Sequence, residues 1–547
     1  MAKNSAPFNI PEKQTALSSG KVLLSISSGV LLTASFPPVN LSFLSWFALV
    51  PLLKSIENES SSRAFKLGLM TGTVHYLTLM YWIVVVLGRY GNLNAFLSAV
   101  PCLLLCLYLA LYIAAFSLMT ACSRDSRFFL LFLGSFWVGL EYIRAKFLSG
   151  FPWCLLGYTQ YRHLNLIQIA DIFGVYGLSF LIVLVNGLIY CLLFRNRKTK
   201  NDLTGRRFLK WETPIIVLLV GGTLAYGHYR LSELQERKDS SRRVRVAVIQ
   251  GNIDQSLKWD PAYQTRTLET YGRLTRAVHD FRPELILWPE TAVPFFFQDN
   301  DKLSPEVVTI AEESGGILVF GSPAFKRTAG RIDYYNRAYL ISADEEQLTK
   351  YYDKVHLVPF GEYVPFKRVL SFINRLVPAA GDFAEGDEIV TLEHDNLSIG
   401  ALICFETIFP EIARAHTRKG ANILVNLTND AWFGKTSAPY QHLAMAVFRA
   451  VENRRTMIRA ANTGFSATIG PQGKIMMRSN LFCEETLKAS VSIPDSPLTV
   501  YTRFGDLFAL SLLVICLIKS FSCLQRRKNN RHTSGTFTKL AIYIFNH

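Results

Sequence analysis

The stretch Gly400-Ala401-Leu402-Ile403-Cys404-Phe405-Glu406 decides the fold of the part of the chain that surrounds it. It is a short apolar run that ends in a cysteine and a carboxylate, which is typical of a buried strand followed by a loop. Reactive groups of α/β enzymes gather at the carboxyl ends of strands. A lone cysteine is more often a small buried hydrophobic residue. A nucleophilic role for Cys404 therefore depends on which other residues the fold brings to it.

Strand-like runs alternate with helical periodicity on both sides of this stretch. Most of the runs are continuously apolar, as expected of strands buried on both faces. They cover residues 244–250, 285–288, 316–320, 335–342, 397–404 and 421–426. Apolar residues recur at helical spacing in 268–281, 305–314, 408–419 and 440–454. The alternation predicts a layered α/β domain of roughly 260 residues, large enough for its own core.

Long apolar runs flank this predicted domain. Half of the 547 residues are hydrophobic and 18% are charged. This balance is too apolar for a soluble protein and too charged for a purely intramembrane one. We therefore predict a membrane bundle of about eight helical spans in addition to the α/β domain. The runs lie near 20–36, 41–54, 66–88, 93–121, 128–143, 170–194, 212–228 and 503–521.

The distribution of basic residues predicts the orientation in the membrane. The formal net charge is +16, but the charge is concentrated beside apolar runs, so it indicates topology and not a nucleic-acid partner. An amino terminus in the cytoplasm places all the strongest basic clusters inside, at 54–66, 124–127, 195–210 and 526–531. Both termini are then cytoplasmic, and the α/β domain lies in a periplasm-like space if the cell is bacterial.

Three domains follow from these patterns. Residues 1–228 hold about seven spans, 229–502 form the extracytoplasmic α/β domain, and 503–547 contain the last span and a basic tail. Of nine cysteines, only Cys404 and Cys483 belong to the α/β domain. Their spacing predicts no metal site, and a disulfide between them stays open as an alternative that would exclude a nucleophile.

Two ionisable residues lie where other predicted strands end. Glu290 closes Leu285-Ile-Leu-Trp-Pro-Glu290, beside an aromatic residue that can raise a carboxylate's pKa toward that of a general base. A helix cap or a solvated loop acid is the alternative. Lys354 could stabilise an oxyanion, or it could be a surface lysine paired with Asp353. His356 could pair with Cys404 or could be a structural histidine.

These residues carry a resemblance. Trp288-Pro-Glu290, Lys354 followed by 356–362, and Ile403-Cys-Phe-Glu406 occur in one order and resemble the Glu–Lys–Cys set of the carbon–nitrogen hydrolase (nitrilase) superfamily. Apolar spans lie before and after these residues. With the spans included, nearly the full chain resembles one family of that superfamily, the apolipoprotein N-acyltransferases. The resemblance implies a nitrilase-like α-β-β-α sandwich. Further matching stretches are 255–260, 429–434, 441–442, 462–464 and 470–473.

The resemblance also implies a two-step acyl transfer without a cofactor. Glu290 would deprotonate Cys404, whose thiolate attacks an ester of a membrane phospholipid, while Lys354 stabilises the oxyanion. The α-amine of a diacylated apolipoprotein would then take the acyl group from the thioester. Glu362 and Glu406 match supporting active-site carboxylates. Positions matching substrate-binding residues are Trp259, Asn336, Phe405 and Trp432.

One residue departs from the family pattern. Phe405 stands where a tyrosine commonly follows the nucleophile, so the ring is kept and the hydroxyl is lost. The aromatic run 295–297 and Phe360 could line an acyl path or belong to a packed core.

Two other classes of function are left open by the residues alone. A membrane-anchored amidase or nitrilase would release its acyl-enzyme to water, although a soluble amide needs no membrane bundle. A transporter with an external binding domain is disfavoured, because few ionisable residues lie at span centres.

Overall fold

The computed structural model describes residues 17–90, 94–195, 203–300, 302–328, 330–342, 350–365, 383–522 and 525. The predicted basic tail at 526–531 and residues 196–202 of the predicted basic loop lie outside these ranges.

The amino-terminal part of the chain is helical. Most of these helices carry apolar side chains on all faces, as expected of helices buried in a bundle or in lipid. Their bounds are α1 (Ser19–Ala34), α2 (Val50–Ser55), α3 (Ser61–Leu79), α4 (Trp82–Tyr90), α5 (Ala95–Ser123), α6 (Phe129–Lys146), α7 (Leu164–Ile167), α8 (Ala170–Leu193) and α9 (Leu203–Ser240).

The protein is a membrane protein with two or three candidate spans among the described residues. By length and apolarity α5 and α8 can cross a bilayer, and α3 with α4 forms a third span if the pair, bent by 52°, is counted as one. The first predicted span, α1, has 16 residues. At about 1.5 Å per residue it is shorter than a hydrocarbon core of about 30 Å. The predicted span at 128–143 lies in α6, which carries Glu141, Arg144 and Lys146.

Two six-stranded sheets form the α/β domain. The first has the order β12-β1-β2-β3-β4-β5 and the second β11-β10-β9-β8-β7-β6. The strands are β1 (Arg242–Gln250), β2 (Leu285–Leu287), β3 (Ile317–Thr328), β4 (Arg331–Ile341), β5 (Lys350–Asp353), β6 (Leu392–His394), β7 (Leu397–Ile403), β8 (Ile423–Thr428), β9 (Thr456–Ala461), β10 (Ala467–Ile469), β11 (Ile475–Arg478) and β12 (Glu485–Ile493).

Helices cover the outer faces of the two sheets. The domain helices are α10 (Gln264–Arg276), α11 (Ser304–Ser314), α12 (Pro410–Arg418) and α13 (Ala438–Asn453). After the domain come α14 (Val500–Phe504) and α15 (Leu507–Ser522).

The central strands, such as β2, β8 and β9, are buried on both faces because each sheet separates two cores. Val246 and Leu287 of the first sheet pack between the sheets with Val425 of the second. Ala247, the next residue of β1, faces the α10–α11 layer instead. Leu424 of β8 joins the core that contains α12 and α13. The order helix, sheet, sheet, helix confirms the predicted sandwich.

The outer helix α13 packs against the membrane helices, with which it shares one hydrophobic core. Polar contacts fix this packing. Trp153 Nε1 donates to Gln441 Oε1 at 2.7 Å, and Gln441 Nε2 donates to the Leu79 carbonyl at 3.2 Å. Arg449 donates to the Tyr158 hydroxyl at 2.9 Å. This side of the sandwich is therefore attached to the bundle.

Candidate active site

Three strand ends bring Glu290, Lys354 and Cys404 together. Glu290 follows β2 and Lys354 follows β5 in the first sheet, whereas Cys404 follows β7 in the second. Lys354 Nζ lies 3.8 Å from Glu290 Oε1. The charges of both residues act on the Cys404 thiol. The site thus lies between the two sheets, at the edge where these strands end.

An amide and a lysine hold two carboxylates at this edge. Asn336 Nδ2, on β4, donates to Glu290 Oε1 at 2.8 Å and to Glu362 Oε1 at 2.9 Å. Lys354 Nζ donates to Glu362 Oε1 at 2.9 Å. Burial alone would lower the pKa of Lys354, but the charges of Glu362 and Glu290 raise it above the ordinary value. Lys354 is therefore a permanent cation, and Asp353 pairs with Arg337 instead.

Glu290 keeps one carboxylate oxygen available. The residue is 6% exposed, and its Oε2 has no hydrogen-bond partner among the described residues. A buried carboxylate oxygen without a donor is free to accept a hydrogen bond from a group that enters the site. The alternative of a solvated loop acid does not fit this burial.

Cys404 stands at a tight turn with left-handed backbone geometry. Its φ is 51°, which an L residue adopts only when its surroundings hold it there. Asn426 Nδ2 donates to the carbonyls of Leu402 at 3.0 Å and Cys404 at 3.3 Å. Burial and the charge of Glu290 raise the pKa of the Cys404 thiol, against the lowering effect of Lys354. The thiol is therefore neutral at rest and needs a base to become a nucleophile.

Glu406 fastens this turn to the first sheet. Its Oε2 accepts from Ile403 N at 2.7 Å, and its Oε1 accepts from Val355 N at 2.8 Å and the Tyr352 hydroxyl at 2.9 Å. The side chain is fully buried. Burial raises the pKa of Glu406 to about 7, with the hydrogen bond from Ile403 and the charge of Lys354 opposing it.

A buried polar cluster next to Cys404 was not predicted from the sequence. The Arg459 guanidinium donates to Asn426 Oδ1 and, at 2.7 Å, to Asp430 Oδ2. Burial would raise the pKa of Asp430, but Arg459 and His442 hold it below its ordinary value. The sequence feature that could have revealed this cluster is a polar residue inside each of two apolar runs. These residues are Asn426 in β8 and Arg459 in β9.

A second lysine at the site was also missed. Lys258 is 1% exposed, and its Nζ donates to the Glu290 carbonyl at 3.0 Å. Burial lowers the pKa of Lys258 to about 8, although the charges of Glu290 and Cys404 raise it. The signal was weak, since Lys258 lies in the stretch 255–260 beside the more conspicuous Trp259.

The predicted substrate-binding residues occupy different environments. Trp259 is 46% exposed, whereas Trp432 is half-buried on a turn between β8 and α13. Asn336 bridges the two carboxylates described above. Phe405 is buried, and its ring centroid lies 5.2 Å from that of Phe409 and 6.5 Å from that of Phe151 in the membrane region.

Two alternatives from the sequence are resolved by the structure. Cys404 and Cys483 are both free thiols, so they form no disulfide. The His356 ring packs on Phe409 with centroids 3.8 Å apart, which fits the structural alternative.

The aromatic run 295–297 belongs partly to the core. Phe295 and Phe297 pack in the core between the first sheet and its helices. Phe360, in contrast, is 43% exposed. Of these residues Phe360 is the one open to a ligand.

Known proteins match both halves of the chain. Residues 28–188 match the family model for the apolipoprotein N-acyltransferase N-terminal domain, and residues 245–497 match that for carbon-nitrogen hydrolases. An apolipoprotein N-acyltransferase of Geobacter metallireducens is 42% identical over 515 residues, which cover 93% of this chain and 96% of that protein. The chain belongs to the apolipoprotein N-acyltransferase family. The protein of the same name from Methylococcus capsulatus is 32% identical, over 93% of this chain and 97% of its own.

Two solved structures each align with about half of this chain. Nit3 of Saccharomyces cerevisiae, from the nitrilase superfamily, is 20% identical, covering 46% of this chain and 90% of its own with a TM-score of 0.36. An amidase from Nesterenkonia sp. is 21% identical, covering 48% and 94%, also with a TM-score of 0.36.

Family membership confirms the predicted enzyme class. Apolipoprotein N-acyltransferases N-acylate lipoproteins, and this chain matches them over nearly its whole length. The amidase and transporter alternatives are thereby set aside.

Proposed function

We propose that this protein transfers a fatty acyl chain from a membrane phospholipid to the N-terminal α-amine of a diacylglyceryl-cysteine lipoprotein, the last step of lipoprotein maturation. The transfer passes through a thioester on Cys404. The observation that carries the proposal is the convergence of Glu290, Lys354 and Cys404 in a domain whose helix α13 packs into the membrane helices.

In the first half-reaction the Cys404 sulfur becomes acylated. Glu290 takes the thiol proton on its unpartnered oxygen, and Sγ attacks the ester carbonyl carbon of the phospholipid. Lys354 stabilises the negative charge on the carbonyl oxygen. The ester C–O bond breaks, and the proton passes from Glu290 to the lysophospholipid oxygen, which leaves as a hydroxyl group.

In the second half-reaction the lipoprotein receives the acyl group. Its neutral α-amine attacks the thioester carbonyl, and the amine proton passes to Glu290. The C–S bond breaks, the sulfur takes back the proton, and an amide remains on the lipoprotein. The two lipids need not be bound at the same time, because the thioester stores the acyl group between them.

The membrane arrangement is part of the same proposal. Residues 1–228 and 503–547 provide about eight spans in the bacterial inner membrane, and residues 229–502 lie on the periplasmic side with both termini in the cytoplasm. The basic clusters of the sequence support this orientation. Buried contacts such as Trp153 to Gln441 support a catalytic domain that lies at the bilayer surface.

Labelled phospholipid tests the first half-reaction. The purified protein is incubated with phospholipid carrying a labelled acyl chain and no acceptor. We expect a thioester-linked label in the wild type and in Cys483→Ala, whose thiol is also free, and none in Cys404→Ala. Persistent labelling of Cys404→Ala would refute the mechanism.

A diacylated lipopeptide tests the second half-reaction. Added to the labelled enzyme, it should move the label into an amide on the peptide. Release of labelled fatty acid with unmodified peptide would instead identify a hydrolase.

A further inference from the structure

In the proposed mechanism, the charged side chains around Cys404 carry more negative than positive charge. Lys354 donates to Glu362 at 2.9 Å but lies 3.8 Å from Glu290. Its charge is therefore offset by Glu362, and Glu290 adds a second negative charge beside the thiol. Moving a proton from Cys404 to Glu290 shifts this surplus negative charge onto the sulfur without removing it. A thiolate in a buried site is unfavourable without a further cation.

Lys258 supplies a cation at this point. Its side chain is buried, and its ammonium donates to the Glu290 carbonyl at 3.0 Å. The carboxylate of Glu290, and the thiolate of Cys404 once it forms, are the negative groups that act on it. Burying an ammonium group is costly, and a contact with one carbonyl oxygen offsets little of that cost. Burial outweighs the attraction of these groups and lowers the pKa of Lys258 to about 8, so the ammonium form still predominates at neutral pH.

The other charged groups around the nucleophile are already paired. Asp430 is paired with Arg459 at 2.7 Å. Glu406 accepts hydrogen bonds from the ends of β5 and β7. Lys258 is the additional cation that the described residues place beside Glu290.

We propose that Lys258 is a positioning residue for the acyl transfer, which holds the turn of Glu290 and balances the charge that forms on Cys404 Sγ. This inference rests on the proposed role of Cys404. When Glu290 takes the thiol proton, the negative charge moves from the carboxylate to the sulfur, and Lys258, held at the Glu290 carbonyl, lies near enough for its charge to act on both. The same residue anchors the segment that presents the exposed Trp259.

The reactivity of the Cys404 thiol tests this role without either lipid. Full-length protein in detergent is treated with iodoacetamide between about pH 6 and 7.5, where Lys258 is mainly charged, and modification of Cys404 is followed by mass spectrometry. Loss of the cation in Lys258→Met should lower the alkylation profile in this range, so that the reaction is about tenfold slower at each pH, as a thiol pKa raised by one unit would make it. Lys258→Arg keeps the charge and should move the profile by less. Lys302→Met, at an exposed lysine of the same domain, should not move it.

An unchanged profile in folded Lys258→Met would overturn the proposal. If thermal melting shows that Lys258→Met is unfolded, the alkylation profile of Cys404 is measured in Lys258→Gln instead. The same two outcomes then support or overturn the proposal. Failure of the proposed function is distinguishable, because it would appear as phospholipid labelling of Cys404→Ala and not as a shifted alkylation profile.

Discussion

At the scale of single residues, Asn336 keeps two carboxylates close to each other. One amide nitrogen donates to both Glu290 and Glu362, at 2.8 and 2.9 Å. The amide supplies donors without adding charge, and Lys354 neutralises only one of the two carboxylates. The geometry of Glu290 therefore depends on a neutral donor at position 336.

Replacing this amide tests that dependence. Asn336→Asp is nearly isosteric but adds a third carboxylate and removes the donor. We expect it to lower thioester formation by about a hundredfold or more, since like charges at hydrogen-bond distance raise the pKa of each other and displace the base. Asn336→Ala should lose less, because it adds no charge. The rate of phospholipid labelling measures both, and equal activity of Asn336→Asp and the wild type would contradict the role.

At the scale of elements, Glu406 connects the ends of two strands from different sheets. Hydrogen bonds from Ile403, Val355 and the Tyr352 hydroxyl converge on one carboxyl group. Cys404 and Lys354 follow those same strand ends. The distance between Cys404 and Lys354 is thus set by a fully buried side chain.

Glu406→Gln should weaken this connection. The new amide nitrogen would face the Ile403 N–H, donor against donor, so we expect thioester formation to fall at least about tenfold. A structural control is Glu393→Gln, at an exposed carboxylate on β6, which should label at the wild-type rate.

The stability of Glu406→Gln should also depend less on pH than the stability of the wild type does. The pKa of Glu406 is raised from 4.5 to about 7, so between these values the unfolded chain ionises while the folded one keeps its proton. The free energy of unfolding then falls as the pH rises through this window, by about 3 kcal/mol from this group. Melting curves at pH 5 and pH 7 should differ less for Glu406→Gln than for the wild type. An equal difference would show that Glu406 does not titrate in this range.

Elements with a strong pattern were predictable from the sequence, and elements without one were not. The strands at 244–250 and 397–404 are mostly apolar and were predicted nearly to their bounds. β10 has three residues, too few for any period to show. β9 carries Arg459 in its centre, and its burial depends on Asn426 and Asp430 from other parts of the chain. The strand-end residues of the site were predictable, but Lys258 was not, because its burial depends on tertiary packing.

At the scale of the whole molecule, Asp171 joins the bundle to the catalytic domain. This residue of α8 is buried and accepts from Arg454 at 2.7 Å, beyond the end of α13. It also accepts from Tyr226 at 2.8 Å and Arg230 at 3.1 Å, both on α9. One carboxylate therefore ties together two helices and the sandwich.

Asp171→Asn should destabilise the protein strongly. Removing one partner of a buried ion pair leaves the other charge uncompensated, at a cost of about 3–5 kcal/mol. Glu313→Gln is the matched control, since it breaks the exposed pair with Arg276 and should cost less than about 1 kcal/mol. Thermal unfolding in detergent compares the two, and Arg454→Met added to Asp171→Asn should recover part of the loss. Equal midpoints for the two single variants would contradict this account.

The pairing of the first and last strands of the domain has a consequence for the architecture of the chain. Arg242 at the start of β1 lies opposite Ile493 at the end of β12, so the sandwich begins and ends about 5 Å apart. The helices before and after the domain are therefore joined across a gap as small as that of a short hairpin turn, although the inserted domain is large. An insertion with adjacent ends adds little strain to its host, whatever its length. The ends of the domain therefore impose no separation on the helices that precede and follow it in the chain, and its attachment to the bundle comes from the packing of α13.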